Sequence, residues 1–586
     1  MASLKHPRPD HRAEARRPVL DPLVPWLVLA GLLAFTVLQY GYALHTPFIN
    51  DDYVFLDKTR SPTLATVWAP RDLLFHYYRP WSRELHYAVL QRVFGPRELP
   101  FHIAGVALWV AVMGLYFVLA RRLAGAAVAT IATTATAALA AWVVPITWVA
   151  GAQDLWMLLF ALILLHSVAH GRTAWAAVAL TLALLSKETA AILPAIAAAY
   201  HHRIGRRGVR DSLRLTAPLW GIVVVWAALH PLLGGRLRSP IADEPQPGLH
   251  PPIHALVARA AQALVNLYPW PRPEHGWADA LRVGVPAAVL LAGLVFLGTR
   301  SRRPRAKASA ATATSSRVAD FGLTWALIAL CPLLMPSIGW RAHYVLLAAL
   351  GAWLAFATLL ASRPVLACAI VAALALLRPA VGGTPSGDWS SEWYRRRAAV
   401  FVEHIRADLM RRRPELPRHT RLYFVRAPSD VGFLAGDGPA LRVWYRDPTL
   451  RAGYYSSYRS RDAAAPPGPD LFFRFDSTSG WVEVQPGAED LVRARAENPR
   501  WEQDHVTLAR ALADGEDWPR AAAEFIKLAE AVPSRFEYAT DAGACLESVG
   551  DSTAAADWYA RAAGLPGADA EVRRNAERLA HLRGTR

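Results

Sequence analysis

About nine apolar stretches, each near twenty residues long, run through this chain and argue against a single water-soluble globule. The first, from Leu23 to about Leu44, is long enough to cross a hydrocarbon core of about 30 Å as a helix. Others follow at about 101–120, 125–145, 147–168, 216–234, 281–299, 320–337, 343–361 and 364–379. Lipid offers no hydrogen-bond partners, so runs of this kind are expected as helices. Composition agrees: 53% of residues are hydrophobic and 19% charged, where a soluble domain carries about 25% charge. Three cysteines (Cys331, Cys368, Cys545) exclude a disulfide framework and a cysteine zinc site.

Charge placement sets the expected topology. The net charge of +17 would suit nucleic acid, but the cations flank the apolar runs and form no basic face on a soluble domain. Residues 1–21 carry Lys5, Arg8, Arg12, Arg16 and Arg17, and the first run lacks the short core and small-residue cut site of a signal peptide. An uncleaved first span with a cytoplasmic N-terminus is expected. Arg121-Arg122, His170-Gly171-Arg172 and the stretch from Arg300 to Arg317 then all fall on the cytoplasmic side, as the excess of cations in cytoplasmic loops requires. Residues 174–200 have basic flanks on both sides and Ser186-Lys187-Glu188 in the middle, which predicts two short helices meeting at an extracytoplasmic apex. Loops at about 45–100 and 235–280 are extracytoplasmic on this count, and the last span exports everything after about residue 380.

The expected fold is mainly α: a polytopic helical membrane protein with about nine spans and a short helix pair, then a small α+β region, then a tetratricopeptide-like helical domain. The boundaries are a basic tail at 1–21, a membrane domain at 22–380, the α+β region at 385–485 and the repeats at 490–584. Residues 390–411 read as an amphipathic helix, and short alternating runs at Arg421–Val425, Leu441–Tyr445, Leu471–Phe475 and Trp481–Val484 read as strands. Ala509, Ala521, Phe525 and Pro533 recur 34 residues later as Gly543, Ala555, Tyr559 and Gly567, the period of a tetratricopeptide repeat, with a capping helix near 570–583.

Polar residues gather at one end of these spans. Asn50-Asp51-Asp52 opens the first loop; two adjacent carboxylates there make sense at a water-filled rim, where one becomes the better proton acceptor. The same loop holds Tyr78-Arg79-Pro80-Trp81-Ser82-Arg83-Glu84. Gln153-Asp154-Leu155 begins the fourth span, Ser186-Lys187-Glu188 marks the hairpin apex, and Arg341-Ala342-His343-Tyr344 lies between two later spans. Arginine and lysine bind phosphate oxygens, and carboxylates move protons. The histidines at 250, 254 and 275 lack a metal-binding spacing.

This order of motifs, followed by the repeat tail, resembles the GT-C superfamily of multi-pass glycosyltransferases, and within it the tetratricopeptide-containing protein O-mannosyltransferases and their bacterial relatives. The resemblance spans roughly residues 20–380, with the tail separate. It implies transfer of a sugar from a polyprenyl-phosphate carrier to an extracytoplasmic acceptor, a protein hydroxyl or an envelope glycan, with inversion. Asp51 or Asp52 would be the catalytic base. Lys187, Arg341 and Arg79 would bind the donor phosphate, and Asp154, Glu188, Arg83, His343 and Tyr344 would orient donor or acceptor. The chain would sit in the plasma (inner) membrane, with the repeats holding an acceptor protein or a partner. A divalent metal is neither demanded nor forbidden by the Asp-Asp pair. Val144-Pro145-Ile146-Thr147-Trp148 stands where the eukaryotic enzymes carry a His- and Glu-bearing motif, so sugar and acceptor identity do not transfer.

Two other readings stay open at this point: a non-catalytic membrane scaffold using its repeats for envelope assembly, and a lipid or polysaccharide transporter. The topology itself is testable. Reporter fusions at residue 52 and in the C-terminal tail are expected on the same, extracytoplasmic side; opposite sides would contradict it.

Overall fold

The computed structural model describes residues 22–70, 77–235, 252–269, 271–300, 308–334, 340–385, 390–425, 438–454, 461, 465–476, 480–484, 499–514, 517–533, 535–565, 568 and 570–584. The basic tail at 1–21 and the repeat position at Gly567 lie outside them. The chain divides into two compact units, one of Met1–Phe48 with Lys58–Ala399 and one of Ile49–Asp57 with Val400–Arg586.

The first unit is helical and polytopic. Among the described residues, eight helices are long and apolar enough to cross a membrane: Val24–His45, Glu98–Ala137, Val149–Ala169, Val209–Leu232, Gly276–Arg300, Ser315–Leu334, Ala342–Leu360 and Pro364–Gly382. The second is 40 residues long and bends at Gly125, where φ is 86°, so it takes in most of two expected spans. The later of those stops at Ala137, short of residue 145, and short turns follow at Ala140–Trp142 and Val143–Thr147. Buried Asn266, from the loop before Gly276, supports that break. Its amide donates to the carbonyls of Ala138 and Leu374 at 2.8 Å, and its carbonyl accepts from Ala140 N–H at 2.8 Å. A broken helix inside a membrane needs such partners.

The two short helices are present. Thr173–Leu184 and Leu193–Arg203 are helices, and Ser186-Lys187-Glu188 lies between them. Neither helix alone spans a bilayer, because twelve and eleven residues rise only about 18 Å and 16 Å.

Bulky side chains fill the interior of this unit, Trp109, Trp142, Trp325 and Leu350 among them. Apolar residues also face outward: Trp26, Val37, Leu232, Val289, Leu359 and Val365 are all more than half exposed. In water these would be a liability; in lipid they are the solvent-facing surface. Between lipid-embedded helices, close backbone approach replaces hydrophobic drive, and small residues permit it. Gly322 and Gly351 face each other across two helices so closely that a Cβ on either would sit 2.6 Å from the other's carbonyl oxygen.

The second unit carries a four-stranded sheet among its described residues, in order β2-β1-β3-β4. β1 (Arg421–Val425) runs parallel to β2 (Arg451–Tyr454) and to β3 (Asp470–Asp476), and β3 pairs antiparallel with β4 (Gly480–Val484). The run at Leu441–Tyr445 is not a strand. It lies in a helix, Pro439–Trp444, because Gly438 in a left-handed conformation and Pro439 at the first helical position start a helix there. Two of that helix's side chains hold the first-loop segment: Trp444 Nε1 donates to Tyr53 Oη at 3.0 Å, and Arg442 pairs with Asp57 at 2.7 Å.

Helices at Pro499–Asp514, Trp518–Ala531, Phe536–Val549, Ser552–Ala563 and Ala570–Gly584 make up the end of the chain. Positions 34 residues apart share burial here. Ala521 and Ala555 are fully buried, Phe525 and Tyr559 are buried, and Gly543 lies directly against the Tyr559 ring.

The glycine contact gives a test of the helix packing. Gly322→Ala is expected to cost about 1–3 kcal/mol through overpacking, read as a lower thermal midpoint of the full chain in detergent. Gly221→Ala, which has open space around it, is the control and leaves the midpoint unchanged. Equal midpoints for the two variants would contradict the close crossing.

Candidate functional site

Three chain turns build a charged cluster inside the first unit. The helix Ala152–Ala169 and the helix Thr173–Leu184 run in opposite directions, so the start of one and the end of the other lie at the same end. Asp154 stands on the first, and Lys187 follows the second. Both are buried, and Lys187 Nζ donates to Asp154 Oδ1 at 2.5 Å. Gly151 shapes the turn before Asp154: a Cβ there would sit 2.5 Å from the carbonyl oxygen of Val144.

The first loop supplies the third element. One π-turn, Trp81–Leu85, follows Tyr78-Arg79-Pro80. The loop is pinned to the turn between the short helices by one backbone and one side-chain bond: Trp81 N–H donates to Leu185 O at 3.2 Å, and Ser82 Oγ donates to Ser186 O at 2.8 Å. This brings Arg79 across to Glu188, to which its Nε donates at 2.9 Å, and to Gln153, whose Oε1 accepts from Nη1 at 2.7 Å. Burial pushes the Arg79 guanidinium down, but the Glu188 carboxylate outweighs it and raises the group above its ordinary range. Arg79 is therefore a fixed positive charge.

The turn Ala342–Val345 closes the cluster. The Tyr344 ring lies 4.9 Å from Lys187 Nζ, a cation–π distance, and the His343 and Tyr344 rings are 4.5 Å apart. Arg341 lies within electrostatic range of both rings, as does Asp154. Seven residues expected at the site thus gather in one unit: Arg79, Asp154, Lys187, Glu188, Arg341, His343 and Tyr344.

Arg83 is buried in the loop, where it pairs with Glu84 and donates to the Tyr77 carbonyl at 3.1 Å, so it braces the loop. Asp51 and Asp52 open the helix Asp51–Lys58 and belong to the second unit. Asp52 is buried, and its Oδ2 accepts from Ile49 N–H at 3.0 Å, holding its own turn. Among the described residues, no three His, Cys, Asp or Glu side chains gather as metal ligands.

An apolar cavity of about 490 Å³ lies in the same unit. Trp81, Leu85, His86, Leu108, Ala111 and Trp156 are among its lining residues. Trp81 is two positions from Arg79 and Trp156 two positions from Asp154, and their rings meet edge-on with centroids 5.9 Å apart. Burial pushes His86 down to about 4, so at neutral pH this wall carries an uncharged ring.

No family model and no curated protein matches this chain. Two solved structures of ArnT from Cupriavidus metallidurans, one bound to undecaprenyl phosphate and one in the apo state, are similar to it at 15% and 16% identity. Their TM-scores are 0.40 and 0.39, and each match covers 79% of this chain and 94% of the other.

Sequence reading missed two participants. Gln153 was visible only as part of a motif, and its role as the partner of Arg79 needs the folded loop. Arg395 is buried at 3% exposure near His343. Its signal was periodicity: Glu392, Arg395, Ala399, Val402 and Leu409 fall on one helical stripe, and all are buried.

The Lys187–Asp154 pair makes a stability prediction. Removing one member leaves a buried, uncompensated charge, so Lys187→Met is expected to cost about 3–5 kcal/mol. Adding Asp154→Leu to it is expected to recover most of that loss in thermal unfolding. A double variant as unstable as the single one would contradict the pairing.

Proposed function

We propose that this chain is a membrane glycosyltransferase of the GT-C kind that takes a sugar from a polyprenyl-phosphate donor. One observation carries the reading: the same helical unit holds a buried charged cluster with Arg79 and Lys187 and an apolar cavity walled by Trp81 and Trp156, and Trp81 lies on the loop that brings in Arg79. A ligand with an anionic head and a hydrocarbon tail satisfies both halves. A soluble sugar nucleotide would leave the apolar half unused, and a plain lipid would leave the charges unused. A scaffold needs neither, and it predicts that these side chains scatter over separate faces.

In this reading the acceptor oxygen attacks the anomeric carbon from the face opposite the phosphate. The bond from that carbon to the phosphate oxygen breaks, and the electron pair leaves with polyprenyl phosphate. Asp51 or Asp52 takes the acceptor proton. Lys187, Arg79 and Arg341 neutralise charge growing on the phosphate, an electrostatic stabilisation set up before the reaction begins. Asp154 and Glu188 hold Lys187 and Arg79 in place. His343 and Tyr344 orient the sugar, and the repeats hold an acceptor protein or a partner through the surface that stacked helix pairs offer. An extracytoplasmic cluster is supported by the basic residues Arg121-Arg122 and His170-Gly171-Arg172, which the excess of cations in cytoplasmic segments assigns to the opposite side.

Transfer from a labelled polyprenyl-phosphate sugar in membranes tests this. Asparagine at 52 retains an oxygen that can accept the Ile49 N–H, so Asp52→Asn preserves the turn while removing that carboxylate, and Asp51→Asn removes the other. At least one is expected to lower the rate about 10²–10⁴-fold. Wild-type transfer by the double variant would overturn the assignment of the base.

A further inference from the structure

The helix Glu392–Arg412 follows the last span and sends its first turns back onto the first unit. It is anchored there by a buried ion pair. Glu392 lies 2.9 Å from Arg378 Nη2, and Arg378 stacks 4.1 Å over the Tyr40 ring and donates to its hydroxyl at 3.2 Å. Burial pushes the Glu392 carboxyl up, but Arg378 and Arg396 outweigh it and hold it below the usual carboxylate range. Arg396, one turn on, also pairs with Glu392 at 2.7 Å and sits 3.5 Å over Tyr42. Adjacent positions on a helix diverge by about 100°, so Arg395 points a different way.

That way leads to the turn before Asp154. The Arg395 guanidinium lies 4.3 Å over the ring of Trp148, which closes the turn leading to Gly151, Gln153 and Asp154. It also lies within electrostatic range of His343, whose turn packs against the helix Val143–Thr147. Stacking engages the flat face of a guanidinium; its N–H donors lie in the plane, where they grip two oxygens of one phosphate.

We propose that Arg395 is a further phosphate-binding residue of this site, delivered by the helix after the last span and aimed by the Glu392–Arg378 pair and the Trp148 ring. It rests on the proposed function, and it adds a ligand from a segment outside the membrane spans. The bound group is the phosphate of a prenyl phosphate. The rival role is a brace that only holds the helix against Trp148.

Binding to the full chain in detergent separates these. Farnesyl phosphate and farnesol serve as probes, since they differ only in the phosphate. Arg395→Gln is expected to weaken farnesyl phosphate binding about 10- to 100-fold and leave farnesol binding unchanged, because a hydrogen bond to a charged group is lost. Arg395→Lys, which keeps the charge and loses the paired donors, is expected to fall between wild type and Arg395→Gln. It also stands as the test if the glutamine variant does not fold. Equal loss for both probes would make Arg395 a brace and overturn the proposal. So would unchanged farnesyl phosphate binding in either variant, with the function reading left standing. Failure of the wild-type chain to bind farnesyl phosphate at all would remove the function reading itself, and this inference with it.

Discussion

Two ion pairs, Lys187 with Asp154 and Arg79 with Glu188, sit largely out of water at one end of a helical membrane unit, and the local structure is arranged around them. Charges in such a place are expensive unless they meet partners. Each pair therefore dictates where its backbone goes. The Asp154 helix must begin where the two short helices meet, and the first loop must cross to that turn for Arg79 to reach Glu188. Bonds from the Trp81 backbone N–H and the Ser82 hydroxyl to the carbonyls of Leu185 and Ser186 fix that crossing. Buried ion pairs are weak sources of stability but strong sources of specification, since a shift in either partner leaves a charge stranded.

A pair of short helices is what makes this geometry available. Helices of twelve and eleven residues leave their junction inside the bundle, where Lys187 can face Asp154. A full span would carry the lysine past it. The same economy operates at Asn266, whose one side chain pairs the backbone groups freed where the long helix ends. Asp154 and Lys187 stand at further interruptions, one just after the turn Val149–Gly151 and the other between the two short helices.

Much of this was legible in the sequence, for physical reasons. Spans announce themselves by length and hydropathy, and the short helix pair by basic flanks on both sides of Ser186-Lys187-Glu188. Those signals are one-dimensional. Leu441–Tyr445 misled because alternation over five residues fits a strand as well as a short helix, and Gly438 with Pro439 decided it. Asp154, Lys187, Arg79 and His343 were readable as candidates because ionisable residues are rare in apolar surroundings. Which cation meets which carboxylate was not readable, since it depends on a loop crossing set by hydrogen bonds. Arg83 shows the limit: four residues after Arg79 in the same motif, it turns to Glu84 instead. Arg395 was hidden among neighbouring arginines on a helix that reads as a solvated amphipathic segment.

The central claim is that a prenyl phosphate lies with its head among these charges and its chain against Trp81 and Trp156. Photo-crosslinking the wild-type chain in membranes with a polyprenyl phosphate that carries a diazirine near the phosphate, then mapping the adducts by mass spectrometry, tests it most directly. Adducts are expected on the segments around residues 79, 153–154, 187 and 341–344, and an excess of unlabelled polyprenyl phosphate should compete them away. Adducts confined to the lipid-facing surface, or untouched by the competitor, would contradict it.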